Sequence, residues 1–119
     1  MLENLSKNNI VIIITSNLTN VVKESLKLKN INYFEEVIGA DKETSKVKKI
    51  ESIKLRYKDN DYFYIGDTKG DIIEGRKAGV KTIAVTWGWH SEEKLKEENP
   101  DFIVHTPEEL VNLLEKRMG

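Results

Sequence analysis

Short apolar runs alternate along the chain with segments whose apolar residues recur at helical spacing. The runs cover 10–14, 35–38, 62–66, 81–86 and 102–104, and each is of strand length. Between them, Val22 and Leu26 stand four apart in 19–29, with Val21 and Leu28 seven apart. Val47, Ile50, Ile53 and Tyr57 make one stripe over 45–57, capped by Thr44 or Ser45. A third helical pattern starts near Asp71, uses Ile72, Ile73 and Ala78, and stops at Gly79, a residue suited to a helix end. A short charged helix over 91–99 closes at Pro100. Thr106-Pro107-Glu108-Glu109 then reads as a helix start, with Leu110, Val111, Leu113 and Leu114 as its apolar face.

Strands alternating with helices predict an α/β fold: a Rossmann-like parallel sheet with helices on both faces. The run of β-branched residues at 10–14 is apolar on both sides, as a central strand covered on both faces must be. A length of 119 residues predicts one domain, 1–119. Charged residues make up 33% of the chain yet the net charge is −1, so no strong attraction to nucleic acid or to an anionic membrane is expected. No apolar run approaches the roughly 20 residues of a membrane span. The opening Met-Leu-Glu-Asn-Leu-Ser-Lys lacks a signal-peptide profile, so a cytoplasmic location is expected. The absence of cysteine excludes disulfides and thiolate chemistry, and His90 and His105 are too far apart in sequence to suggest zinc.

Polar groups gather where strands end, the place at which open α/β sheets bind ligands. Thr15 and Ser16 follow the first strand, and Asn17 or Thr19 suffices to cap the next helix. Lys46 falls in the first turn of the second helix, where a cation opposes the helix dipole unless an anion lies nearby, although a solvated surface lysine is the commoner case. Asp67 ends the third strand and Asp71 lies four residues on. Two carboxylates about 5 Å apart would repel by roughly 3 kcal/mol at an effective dielectric near 20, a cost that Mg²⁺ reverses. Alternatively, Asp71 is a helix N-cap and Asp67 a turn residue. A hydroxyl, an ammonium and a carboxylate-held cation together suit a phosphoryl group. The aromatic Trp87-Gly88-Trp89-His90 either lines a pocket mouth or, as is more frequent, covers an edge of the core.

These motifs resemble those of the haloacid dehalogenase superfamily, and within it the phosphoglycolate-phosphatase-like branch. The strand ending in Thr15-Ser16-Asn17 resembles the second motif, and Lys46 falls where the third-motif lysine is expected, with Lys48 as the competing candidate. Tyr64-Ile65-Gly66-Asp67-Thr68-Lys69-Gly70-Asp71 resembles the fourth, and Ala78-Gly79-Val80 and Val85-Thr86-Trp87-Gly88 continue as that branch does. The resemblance implies a core in which Thr15, Lys46 and Asp67 are catalytic, Thr15, Ser16 and Lys46 hold phosphate, and Asp67 and Asp71 hold Mg²⁺. The implied reaction is Mg²⁺-dependent hydrolysis of a small phosphorylated metabolite. The family's first motif, Asp-x-Asp at the end of an N-terminal strand, supplies the nucleophile. The one Asp-x-Asp here, Asp59-Asn60-Asp61, precedes a strand and so sits at the wrong edge of the sheet. The chain is therefore expected to be a core segment without the first-motif strand and the cap, inactive alone. The alternatives are a subunit of a split phosphatase or a non-catalytic Mg²⁺/phosphate-binding domain. Without that strand, 10–14 and 62–66 either close up and pair directly or leave a gap for a complementing N-terminal subunit, with self-association as a further outcome.

Overall fold

The computed structural model describes residues 9–14, 19–28, 34–41, 43–58 and 60–118. The described residues form five strands and five helices in alternation. β1 (Ile12–Ile14) leads to α1 (Thr19–Leu28), β2 (Glu36–Ile38) to α2 (Lys46–Arg56), and β3 (Phe63–Gly66) to α3 (Lys69–Lys77). β4 (Lys81–Val85), α4 (Glu92–Lys96), β5 (Phe102–Val104) and α5 (Pro107–Met118) complete the order. All pairings are parallel, as strands joined through helices require.

The sheet is divided. Among the described residues β1 pairs with β2, and β3, β4 and β5 form a separate sheet in that order. Of the two outcomes expected for 10–14 and 62–66, direct pairing does not occur there, and the two strands belong to different ladders.

Period-two alternation places the core. Ile83, Val85 and Val104 point to one face of the three-stranded sheet, where they pack with Leu110 and Leu114 of α5 and with Val11, Phe63 and Phe102. Ala84 and Ile103 point to the other face and meet Ile72 of α3 and Leu95 of α4. Helices therefore cover both faces, as the pattern predicts. Val11 carries the two-stranded part into the first cluster, and α2 packs beside α3.

Local chemistry sets the helix ends. Ser45 caps α2 by accepting from Lys48 N–H. Gly79, at φ 76°, ends α3 in the left-handed region open to glycine. Leu28 is 85% exposed, so the expected α1 stripe does not extend to it. Thr19 does not cap α1 either. It is buried, its Oγ1 accepts from Gly39 N–H at 2.9 Å, and its own N–H donates to Asp41 Oδ1 at 2.6 Å. A carboxylate from the loop after β2 thus takes a helix-end amide that sequence reading assigns to a local cap.

Candidate active site

Gly66 closes β3, and Asp67 follows at its carboxyl end. The chain then enters α3 through a capping box. Thr68 Oγ1 accepts from Asp71 N–H at 3.1 Å, while Asp71 Oδ2 accepts from Thr68 N–H at 3.2 Å. The same Oδ2 accepts from Asp67 N–H at 3.2 Å, so Asp71 ties down the backbone of the residue that shares its loop. Gly66 is obligatory at this corner, because a Cβ there would overlap the Asp71 side chain.

Asp71 Oδ1 faces a different element. Lys46 Nζ lies 3.3 Å away, and the Tyr64 hydroxyl donates at 3.5 Å. Burial, reinforced by Asp71 and Glu74, pushes the Tyr64 hydroxyl well above its ordinary value, so it stays a donor. Lys46 is the first residue of α2, and Asp71 is the anion that makes a cation acceptable there. Lys48 is exposed and lines a groove with Glu43, Ser52 and Arg56 that Asp71 does not line. Lys49 is buried at the edge of the same groove, and burial followed by the nearby Lys46 charge lowers its pKa.

Both oxygens of Asp71 are therefore engaged in hydrogen bonds, Oδ1 with Lys46 and Tyr64 and Oδ2 with the amides of Asp67 and Thr68. Asp71 is not the N-cap of α3; Thr68 is, and the helix begins two residues earlier than the apolar pattern suggests. Asp67 is differently disposed. Its Oδ2 accepts from Trp89 N–H at 2.8 Å, and among the described residues Oδ1 has no partner. Thr15 and Ser16, the expected hydroxyl donors, lie outside the described residues.

Mg²⁺ takes few protein carboxylates and keeps several waters. Asp67 Oδ1 fits one such position, and Asp71 fits a supporting role that fixes the Asp67 backbone and Lys46. The described residues contain no group of three or more side chains that could together hold a metal ion.

Sequence reading leaves two roles open for the loop that follows β4 and does not reach its contact with Asp67. Gly88 lies against the Asp67 carboxylate so closely that a Cβ would overlap it. Trp87 and Trp89 are 42% and 83% exposed, so these indoles do not cover the core, contrary to the more frequent role of such aromatics. The glycine between two tryptophans was the available signal.

The family model for haloacid dehalogenase-like hydrolases matches residues 1–85. The chain belongs to that family. It is 29% identical over 112 residues to the phosphoglycolate phosphatase of Aquifex aeolicus, an alignment covering 89% of this chain and 51% of that protein. It is 27% identical to the pyrophosphatase PpaX of Bacillus mycoides, with coverage of 90% and 53%. Among solved structures, a haloacid dehalogenase-like hydrolase of Streptococcus pneumoniae superposes with a TM-score of 0.85 at 28% identity, covering 95% of this chain and 56% of that one. A predicted phosphatase from Clostridium acetobutylicum does so with a TM-score of 0.85 at 28% identity, with coverage of 97% and 56%. The chain spans about half the length of the curated relatives it matches. Among the described residues, no helix is long and apolar enough to cross a membrane.

Proposed function

We propose that this chain is the Mg²⁺- and phosphate-holding part of a phosphatase of the phosphoglycolate-phosphatase-like branch, acting on the phosphate monoester of a small metabolite. The observation that carries this reading is Asp67 at the carboxyl end of β3, in one hydrogen-bonded loop with the Asp71–Lys46 pair. Asp67 Oδ1 holds the cation, which when bound neutralises and orients the phosphoryl oxygens. Lys46 presents its ammonium to the same group, with Asp71 and Tyr64 setting its position. Thr15 donates its hydroxyl to a phosphoryl oxygen, and Ser16 adds a second donor.

The nucleophile enters from outside this set. Asp61 stands before β3, whereas Asp67 follows it, so the Asp-x-Asp at 59–61 does not serve. β1 and β3 lie in separate ladders among the described residues, and a parallel strand between their edges would bring an aspartate to the level of Asp67. That strand comes from a preceding segment or from a complementing subunit, and without it the chain has no turnover.

Calorimetry tests the metal part: Mg²⁺ binds the unaltered chain weakly, and Asp67→Asn abolishes the heat. Identical isotherms would refute the assignment. Adding a peptide strand with Asp-x-Asp-x-Thr should produce Mg²⁺-dependent hydrolysis of p-nitrophenyl phosphate; turnover by the chain alone would show that the nucleophile lies within it.

A further inference from the structure

The loop after β4 is stitched to the start of α3 at three points. Trp89 N–H donates to Asp67 Oδ2 at 2.8 Å, and His90 N–H donates to the Asp67 carbonyl at 3.0 Å. In the opposite direction, Lys69 N–H donates to His90 Nδ1 at 3.0 Å. Lys69 is the first residue of α3, and its amide is one of those a helix start leaves without an internal partner. Asp71 and Thr68 serve the amides of Thr68 and Asp71, and the His90 ring takes that of Lys69. An Nδ1 that accepts leaves the neutral ring's proton on Nε2.

The carboxylate of Asp67 thus has its orientation fixed by a loop some twenty residues away in sequence. Gly88 permits the approach, since any side chain there would occupy the carboxylate's place. Trp89 supplies a backbone amide to Oδ2, which turns Oδ1 the other way. Neither contact uses the indole side chains. His90 is bonded through both backbone and ring to residues 67–69, so it determines where the Trp89 amide stands.

We propose that His90 is a positioning residue. By holding the Lys69 amide it locks the 86–90 loop against Asp67, reserving Oδ2 for Trp89 N–H and Oδ1 for the cation. The consequence for the cation rests on the proposed metal role of Asp67; the lock itself does not.

The test compares the unaltered chain with His90→Asn, whose Oδ1 takes the place of Nδ1, and with His90→Ala, which has no acceptor. In His90→Ala, amide exchange at Lys69 and Trp89 should accelerate by about tenfold, the equivalent of one hydrogen bond, while Ile72 and Ile73 stay unchanged. Mg²⁺ binding by calorimetry should weaken by roughly threefold to tenfold. His90→Asn should restore both. Unchanged exchange in His90→Ala, or His90→Asn as impaired as alanine, overturns the lock. Faster exchange with unaltered Mg²⁺ affinity overturns its role in positioning. If the unaltered chain binds no Mg²⁺, the metal reading fails while the exchange comparison still decides the lock. Should His90→Ala not fold, a through-bond coupling between Lys69 N and His90 Nδ1 in the unaltered protein decides it, and its absence refutes the bond.

Discussion

Lys46 Nζ stands 3.3 Å from Asp71 Oδ1, joining the first turn of α2 to the first turn of α3. The side chains are 26% and 11% exposed, so the pair is partly shielded from solvent. Its two members carry unequal structural burdens. Asp71 also serves Asp67 N–H, Thr68 N–H and the Tyr64 hydroxyl, whereas among the described residues the Lys46 ammonium makes no hydrogen bond besides the one to Asp71. Asp71→Ala should cost about 1–2 kcal/mol, through loss of the capping box. Lys46→Ala should cost only about 0.5–1 kcal/mol, since Asp71 keeps its other hydrogen-bond donors when the ammonium is lost. Urea titration of both variants checks this, and equal losses would contradict the division of roles.

Two glycines of α3 should respond oppositely to alanine. A Cβ at Gly75 would sit 2.6 Å from Thr82 Cγ2 and 3.1 Å from a Tyr64 ring carbon, where the helix meets the sheet. Gly75→Ala should destabilise by about 1–3 kcal/mol. At Gly70 the nearest atom would be 3.6 Å away, so Gly70→Ala should gain up to about 0.5 kcal/mol from helix propensity. Thermal melts distinguish the two, and a stabilising Gly75→Ala would mean that the contact relaxes.

His105 joins α4 to α5 and should make stability depend on pH. Its Nε2 meets Glu92, and its Nδ1 lies 3.3 Å from Glu109 Oε2. Glu92 first, then Glu109, raise the His105 pKa above its ordinary 6.5. A raised pKa means that the folded state holds the proton more tightly, so the contribution is full below the unfolded value and fades as pH climbs through the folded one. Lys96 first, then His105, lower the Glu92 pKa from 4.5, so its contribution fades only as pH falls below that value. Melting temperature should therefore decline slightly from pH 6 to pH 8.5, and His105→Gln should flatten the profile. An unchanged decline in that variant would assign the effect elsewhere.

The elements were legible in the sequence because strand and helix periods differ cleanly here. The 102–104 strand matches its expected bounds, and the other strands lose one or two terminal residues, where ladders fray. Lys46, Asp67 and Asp71 were legible as candidates because each follows a strand. Their division of labour was not, since it depends on which donor each oxygen meets. Asp71 serves Lys46 from one helix and Tyr64 from a strand, partners 25 and 7 residues distant. The bonds from Trp89 to Asp67 and from Lys69 to His90 were equally hidden, because spacing along the chain carries no record of a backbone amide's partner across 22 or 21 residues.

The split between the two sheets falls at one place in the chain. β1 and β2 lie before residue 57, and β3, β4 and β5 lie after residue 62. No ladder among the described residues crosses that boundary, so loosening the first block breaks no strand pairing of the second. Cooperativity between the blocks then depends on side-chain joints such as Lys46–Asp71, Lys54 Nζ to the Ala78 carbonyl, and Val11 in the α5-side core. Both tryptophans, Trp87 and Trp89, belong to the second block. During denaturant titration their fluorescence should report that block alone, at a higher midpoint than circular dichroism, which averages both. Superimposable curves would mean that a few side-chain joints suffice to make two separately laddered halves unfold as one.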